Sequence, residues 1–518
     1  MTSSRRPPSG ALLGACAAGL TLAASLLVRI TTGLPSLGEI LGNGLALLLP
    51  GSFFGTLIDT LQEKGRPLLL LSTSVLIIVI GAVLGRLIAS WTWLVVAPYP
   101  AAPASRRSRL LVRWLVPGLC LWVLSLPLVM LGEGSLAVSA TWAALLDWLL
   151  LTGLVELLLG LPQRGGSWAD PAQLHSEGGS SRRSFLAAAG AVLGAAVLGY
   201  LGLNLLRASS PPVTRLRLGG SGGGVGGRLP EGITPTADFY VVSKDLFGPP
   251  SIDASTWQLS VGGAAPYSLG YQELLAQPHL SQTQTLECIS NPVGGTLIST
   301  GVWRGVQLSR LLQRAGVPAR TEQIVFTCAD GYTESLPLAQ AMAPTTLLAD
   351  RLNGRPLTSA HGFPARILVV DHYGMKNPKW LTRIAPSAQP YFGYWEQQGW
   401  NAGAYPRIFS RFDFPAGNSS LSAGRRYLLT GVAFAGTKGV SAVELSLDGA
   451  RHWTKAELVA PASPYTWTLW SFPWSPGPGL YTLTLRARDK QGNYQRPGAN
   501  QSYPNGASGY QVVTVVVR

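Results

Sequence analysis

The amino-acid sequence predicts a multi-domain chain, in which a bundle of transmembrane helices precedes a strand-rich soluble part that ends in a β-sandwich. Of the 518 residues, 47% are hydrophobic and only 13% are charged, a balance typical of membrane spans. The long apolar runs fall within the first 206 residues. A glycine-rich linker then leads into short alternating strands that are bounded by Pro and Gly turns.

Apolar segments long enough to span a bilayer lie at 11–31, 68–98, 109–131, 137–162 and 185–206. A further stretch, 37–61, is interrupted by Gly and Pro and contains two acidic residues, so it is more typical of an interfacial or re-entrant segment. Arginine clusters at 5–6, 106–113 and 182–183 all fall on the cytoplasmic side if the chain crosses the bilayer five times. The sequence therefore predicts a multi-pass protein of a bacterial cytoplasmic membrane.

The last apolar segment begins with SSRRSFLAAAG (180–190), which resembles a twin-arginine export signal. An ordinary positive-inside flank is the alternative explanation. The twin-arginine route exports domains that are already folded, often around a cofactor. We expect the segment to stay in the bilayer as an anchor and to place the following domains on the extracytoplasmic side.

Charge and histidine positions argue against two other classes of protein. The net charge is +15, but the Lys and Arg residues are dispersed and several flank apolar runs, so we expect no nucleic acid as a partner. None of the five histidines lies inside an apolar span, so we expect no haem in this chain. Arg86, Asp147 and Glu156 lie at membrane depth, where inter-helix pairing and a functional role are both open.

One cysteine stands alone after a strand-like run, at Cys288 in TLECISNPVGG (285–295). No CxxC pair occurs, which argues against a zinc knuckle and a thioredoxin-type site. A lone cysteine is often a small buried hydrophobe, and Cys288 could also pair with Cys328.

Three stretches occur in the order LECISNPVGGTLISTGVWRGVQLSRLL (286–312), HGFPARILVVDHYGMKNPKWLTRI (361–384) and VELSLDGARHW (443–453). Together they resemble the sulfite oxidase family of molybdopterin-dependent oxidoreductases. The resemblance covers roughly 233–518. It implies an α+β sulfite-oxidase-type molybdopterin domain and an immunoglobulin-like β-sandwich of the dimerisation type. It also implies the molybdenum–molybdopterin cofactor (Moco) and a homodimer.

By this resemblance Cys288 is the molybdenum ligand. One protein thiolate suffices, because the pterin supplies two further sulfur ligands. His361, Arg366 and Lys379 match the positions that bind the pterin phosphate, a group that requires cations and hydrogen-bond donors. Lys376 is a weaker candidate for the same role.

The resemblance also assigns the remaining pocket residues. The segment DFYVVSKD contributes Phe239, Tyr240 and Ser243 on the pterin side. Trp400 and Asn291 are expected on the substrate side, where together with Cys288 they make up the expected catalytic set.

The chain departs from the true sulfite oxidases in two places. The oxyanion-binding arginine that those enzymes have in the Phe239 segment is missing, and Trp400 replaces their active-site tyrosine. A desolvated sulfite dianion needs compensating cations, so a pocket with Val and Trp at these places favours a neutral or weakly charged substrate. The segment FYVVSKD is more similar to exported bacterial methionine sulfoxide reductases, which lack the sandwich.

These features predict a membrane-anchored extracytoplasmic oxidoreductase that uses Moco for two-electron oxygen-atom transfer with a small-molecule substrate. Reduction of an S- or N-oxide is favoured over sulfite oxidation, and a separate electron-transfer partner is expected. A non-catalytic membrane-anchored binding module is the alternative. The predicted domains are a transmembrane helical domain (1–163), a cytoplasmic loop with the anchor helix (164–206), a linker (207–232), the molybdopterin-binding catalytic domain (233–403) and the β-sandwich (404–518).

Overall fold

The computed structural model describes residues 10–32, 36–48, 65–95, 117–127, 138–160, 227–244 and 249–518. The chain divides into two compact units, an N-terminal helical unit and a C-terminal unit that contains two domains. The predicted anchor with its twin-arginine-like motif (164–206) lies outside the described residues.

The described helices of the N-terminal unit are Gly10–Thr32, Leu37–Leu48, Gly65–Val95, Pro117–Pro127 and Val138–Gly160. The first and third pack closely because glycines meet at their contact. A Cβ atom at Gly14 would overlap the carbonyl of Gly81 and approach Gly85. Small residues therefore set the spacing of these two helices.

Of the ionisable residues predicted at membrane depth, Asp147 is held by hydrogen bonds inside the helical unit. Its Oδ2 accepts from Ser25 Oγ at 2.7 Å and from the backbone N–H of Leu37 at 3.1 Å. Arg86 is exposed. The side chain of Glu156 lies outside the described part of the chain.

Among the described residues one segment, Gly10–Val28, is long and apolar enough to cross a membrane. Three shorter apolar stretches lie at Leu71–Leu87, Pro117–Pro127 and Ala143–Val155. The five-span topology stays a prediction.

The first domain of the C-terminal unit is built on two sheets, with strand orders β2-β1-β10-β5-β6 and β3-β4-β7-β8, and β9 pairs with β7. The strands are β1 Gln258–Val261, β2 Tyr267–Gly270, β3 Leu280–Glu287, β4 Ile298–Gln307, β5 Gln323–Cys328, β6 Thr333–Pro337, β7 Leu347–Leu352, β8 Arg355–Pro356, β9 Arg366–Leu368 and β10 Leu381–Ser387. Short helices cover them at Tyr271–Leu275, Leu308–Ala315, Leu338–Ala341 and Tyr394–Gln397, with 3₁₀ turns at Ser359–His361 and Gly374–Lys376. The domain is α+β, as predicted.

Two further sheets pack face to face around a shared apolar core and form the second domain. Their orders are β11-β13-β17-β16 and β12-β19-β18-β14-β15. The strands are β11 Phe409–Phe414, β12 Ser419–Leu421, β13 Tyr427–Phe434, β14 Val440–Ser446, β15 Thr454–Lys455, β16 Glu457–Val459, β17 Thr468–Trp474, β18 Gly479–Asp489 and β19 Gln511–Val517. The core contains Trp470, Leu429 and Leu483, each fully buried. The predicted strand-rich C-terminal part is thus a two-sheet structure, and its immunoglobulin-like class stays a prediction.

The second domain contacts the loop that follows β3 in the first. Arg411 donates from Nη1 to the carbonyl of Gly295 at 3.0 Å. Gln511 lies directly against Gly294, whose positive φ of 70° a side chain would strain. The two glycines of this loop therefore face the sandwich.

Candidate active site

Cys288 is the first residue after β3, at the start of the loop that leads to β4. Its backbone N–H donates to Leu297 at 2.9 Å, and its Sγ lies 3.1 Å from Ser290 Oγ. The residue is buried, and burial raises the pKa of its thiol while the Ser290 hydrogen bonds lower it. Cys288 and Cys328 are both free thiols, so the disulfide that the sequence left open is not formed.

Asn291 organises the loop that carries Cys288. Its Nδ2 donates to Glu287 Oε1 at 3.0 Å, and its Oδ1 accepts from the backbone N–H of Leu297 at 3.0 Å. Burial raises the pKa of Glu287 to about 8, against the lowering effect of Asn291. Both polar ends of the amide are therefore used within the loop, which places Asn291 in a supporting position.

The structure brings His361, Arg366 and Lys379 together around the Ser359–His361 turn. Arg366 donates from Nη1 to the carbonyl of His361 at 3.2 Å and from Nη2 to Asn377 at 2.9 Å. Lys379 donates from Nζ to the carbonyl of Ala360 at 3.2 Å. Arg366 and Lys379 also act on His361: burial is the main cause that lowers the pKa of its ring, and both cations lower it further.

The three side chains do not contribute equal charge. Burial lowers the pKa of His361 to about 4, so the ring is neutral at neutral pH. Burial also lowers the pKa of Arg366, but only to about 10, so its guanidinium stays charged. Among the described residues no carboxylate pairs with Arg366, and its buried Nε has no hydrogen-bond partner. Positive charge at this turn therefore comes from Arg366 and Lys379.

The segment 238–244 lies beside the Ser359–His361 turn. Phe239 is buried edge-on against His361, with ring centroids 5.5 Å apart, and stacks on Tyr240. The Tyr240 hydroxyl reaches Gly374, where an added Cβ would lie 2.6 Å from it. Ser243 is half-buried in the same segment.

Electrostatic coupling connects Cys288 to these groups. Burial is the main cause that raises the pKa of Tyr240, and the Cys288 thiol raises it further. Burial raises the pKa of the Cys288 thiol by more than the charge of Lys379 lowers it. Tyr373 is likewise coupled to Cys288, although burial is the main cause that raises its pKa. The thiol, two tyrosine hydroxyls and an ammonium group thus share one neighbourhood.

Trp400 is buried in an apolar cluster with Ile289, Tyr373, Met375 and Ala404. Because Ile289 directly follows Cys288, the cluster adjoins the loop that carries the thiol. The Trp400 indole Nε1 is buried and has no hydrogen-bond partner among the described residues.

The sandwich also contributes to this region. Tyr503 packs edge-on against Trp400, with ring centroids 5.2 Å apart. Asn505 accepts from Asn401 Nδ2 at 2.6 Å. Sequence reasoning gave no role to this loop of the second domain, because nothing local in its sequence indicates that it reaches the first.

Lys376 is not available for a phosphate, which corrects its secondary assignment. Its Nζ lies 2.8 Å from Glu334 Oε1 and also pairs with Glu396 Oε1, and all three side chains are buried. Sequence reasoning missed both carboxylates.

Comparison with known proteins identifies the family of the chain. Residues 247–395 match the family model described as oxidoreductase molybdopterin binding domain. The uncharacterized oxidoreductase YuiH of Bacillus subtilis (strain 168) is 31% identical over 189 residues, which cover 36% of this chain and 92% of that protein. The rat mitochondrial sulfite oxidase is 28% identical over 288 residues, 46% of this chain and 52% of that enzyme. This chain belongs to the sulfite oxidase family of molybdopterin oxidoreductases.

Human mitochondrial sulfite oxidase is 28% identical over 46% of this chain. The solved structure of sulfane dehydrogenase SoxCD from Paracoccus pantotrophus aligns with a TM-score of 0.48 at 22% identity, over 55% of this chain and 82% of that chain. The chain spans about half the length of the mammalian sulfite oxidases that it matches, 52% in rat and in human.

Proposed function

We propose that this protein is a membrane-anchored, extracytoplasmic Moco-dependent oxidoreductase that transfers an oxygen atom to or from a small molecule in a two-electron reaction. The observation that carries the proposal is the grouping of Arg366 and Lys379 at the Ser359–His361 turn, in a chain of this family whose Cys288 is a buried free thiol. Moco, when bound, supplies the redox change and the site of oxygen transfer. The residues of the chain hold it, exclude water and select the substrate.

The side chains present fit the cofactor. Cys288 offers the one soft thiolate that the metal requires from the protein. Arg366 donates from both Nη atoms to carbonyl oxygens, and its buried Nε, which has no partner among the described residues, can donate to a phosphate oxygen. Lys379 adds a second cation at the same turn. His361 and Phe239 hold the turn as a neutral ring pair, and Tyr240 and Ser243 line the pterin side.

The substrate side favours an uncharged oxide. Trp400, Tyr373 and Met375 form an aromatic and apolar wall beside the Cys288 loop. Two arginines of the sandwich side are already engaged: Arg411 binds Asp413 and the Gly295 carbonyl, and Arg407 donates from Nε to the Asn505 carbonyl. An S- or N-oxide needs one hydrogen-bond donor rather than a cation, and the unpartnered Trp400 N–H can supply it.

The reaction we favour consumes two electrons and two protons and yields the deoxygenated compound and water. Sulfite oxidation is the second candidate, because the named relatives include sulfite oxidases. That reaction takes water, releases two electrons and two protons, and yields sulfate. Membership of a family of molybdopterin oxidoreductases disfavours the non-catalytic binding module that the sequence left as the alternative.

The test is a turnover screen of the full-length, Moco-loaded protein. Sulfoxides and N-oxides are supplied with a reduced dye as electron donor, and sulfite with an oxidised dye as acceptor. Oxide reduction without sulfite turnover is expected. Efficient sulfite turnover without oxide reduction would contradict the preferred direction, and no turnover with any of them would favour the binding module.

The remaining parts of the proposal concern assembly and location. We infer a multi-pass location in a bacterial cytoplasmic membrane, with an anchor over 164–206, a linker over 207–232 and the catalytic domain over 233–403 on the extracytoplasmic side. The apolar helix Gly10–Val28 supports membrane attachment. A separate protein exchanges electrons with the site, and the immunoglobulin-like sandwich over 404–518 forms a homodimer.

A further inference from the structure

A cluster of buried charged side chains lies in the first domain of the C-terminal unit and includes none of the groups assigned to the cofactor. Lys376 Nζ contacts Glu334 Oε1 at 2.8 Å, the carbonyl of Ser335 at 3.2 Å and Glu396 Oε1. Tyr332 donates to Glu334 Oε2 at 3.1 Å. We call Lys376, Glu334 and Glu396 the Lys376 ion cluster.

Each member of the Lys376 ion cluster belongs to a different element. Glu334 is on strand β6, which is part of a five-stranded sheet and therefore fixed. Lys376 ends the Gly374–Lys376 turn. Glu396 is on the Tyr394–Gln397 helix, where its other oxygen also caps the helix by accepting from the backbone N–H of Gly393 at 2.7 Å.

The two elements that the cluster joins to strand β6 carry residues of one apolar cluster on the substrate side. The Gly374–Lys376 turn presents Met375 to the apolar cluster and supports the Tyr240 hydroxyl at Gly374. The Tyr394–Gln397 helix leads directly to Trp400, whose backbone N–H donates to the carbonyl of Trp395 at 3.1 Å. The one ammonium group of Lys376 therefore joins the turn and the helix to the same strand.

We propose that the Lys376 ion cluster is a positioning device that holds Trp400 and Met375 in place within the apolar wall beside the Cys288 loop, and so fixes the surface that the substrate oxide meets. The inference rests on the proposed function, since it assigns the substrate side to Trp400. Lys376, Glu334 and Glu396 act through the residues that they hold and do not touch the substrate. An apolar side chain at position 376 would remove the link between the turn and the helix and leave two carboxylates facing each other.

The test uses the full-length protein with 5-fluorotryptophan in place of tryptophan. The ¹⁹F resonance of Trp400 is assigned by its loss in Trp400→Phe. In Lys376→Met the Trp400 resonance is expected to shift or broaden, and the KM for an oxide to rise about tenfold or more while kcat changes by about twofold at most. Lys376→Arg, which keeps the cation, restores both in part.

A neutral variant separates positioning from general stability. Lys376→Met combined with Glu334→Gln and Glu396→Gln removes the uncompensated charge, so it is expected to fold well and still to displace Trp400. Glu444→Gln breaks a partly buried ion pair with Arg486 in the sandwich and serves as the control.

Two results would overturn the inference. One is a Trp400 resonance and a KM that match wild type in a folded Lys376→Met protein. The other is a return of both to wild-type values in the neutral triple variant. Because the ¹⁹F resonance is read without turnover, a displaced Trp400 in a protein that reduces no oxide would uphold the positioning role and reject the proposed function.

Discussion

Asn291 donates from Nδ2 to Oε1 of Glu287 at 3.0 Å, across the turn that begins with Cys288. Its Oδ1 accepts from the backbone N–H of Leu297 on the other side of the loop. One amide thus closes the loop at both ends, and the thiol lies between them. The position of the proposed metal ligand depends on this side chain.

Replacement of Asn291 by Ala should loosen the loop and leave the buried Glu287 carboxyl without its donor. We expect the free energy of unfolding to fall by about 1–3 kcal/mol and the molybdenum content to fall with it. Denaturant unfolding and metal analysis check this. Asn493→Ala is the control, since Asn493 donates to Asp489 in a sandwich turn at the same distance of 3.0 Å. Equal loss of molybdenum in both variants would refute the specific role of Asn291.

Gly374→Ala should displace Tyr240, because the new Cβ would lie 2.6 Å from the Tyr240 hydroxyl. The expected result is a lower pterin content at near-normal stability. Pterin fluorescence after release from the purified protein measures it. Gly477→Ala is the matched control, because an added Cβ there meets nothing within 4 Å. Full pterin content in Gly374→Ala would show that Tyr240 is not needed on the pterin side.

Trp400→Phe removes an indole N–H that the proposal uses to bind the substrate oxygen. Loss of one hydrogen bond should lower kcat/KM for the oxide by about tenfold, with the cofactor content unchanged. Trp470→Phe is the control, since Trp470 in the sandwich core also has a buried Nε1 without a partner among the described residues. An unchanged kcat/KM in Trp400→Phe would remove this residue from substrate binding.

Glu334 should make the stability of the protein depend on pH. Burial raises the pKa of Glu334 to about 7 in the folded chain, against the lowering effect of Lys376, whereas the unfolded carboxyl titrates near 4.5. A raised folded-state pKa contributes stability that is present below pH 4.5 and is lost as pH rises through about 7. Between these values wild type should lose on the order of 1–3 kcal/mol relative to Glu334→Gln.

Denaturant unfolding of both proteins at pH 5 and at pH 7.5 measures this difference. Glu322→Gln is the control, because Glu322 is exposed and directly precedes strand β5, the partner of β6. This variant should keep the wild-type pH dependence. If wild type and Glu334→Gln showed parallel pH profiles, the burial of an ionising Glu334 would not limit stability.

Local sequence patterns predicted the parts of the site that depend on neighbouring residues. The strand that ends at Glu287 and the turn with Cys288 follow from strand-forming and turn residues within a few positions. The α+β class and the grouping of His361, Arg366 and Lys379 came from the resemblance of a continuous stretch.

Long-range pairings could not be predicted in this way. The ion pairs of Lys376 could not be predicted, because its two carboxylate partners lie 42 and 20 residues away in the chain. The hydrogen bond from Asn291 to Glu287 could not be predicted either, because the need of this carboxyl for a donor appears only when it is buried. The support of Trp400 by Tyr503 comes from a different domain, which no local pattern reveals.

Molybdenum content tests the central claim most directly. The full-length protein, loaded in the cytoplasm of a host that matures related enzymes, is analysed beside Cys288→Ser and Cys328→Ser, two variants that each remove one buried thiol of the same domain. The account predicts about one molybdenum per chain in wild type and in Cys328→Ser, and a lost or spectrally altered metal in Cys288→Ser. Wild-type protein free of molybdenum and pterin, or Cys288→Ser with wild-type content and spectrum, would contradict it.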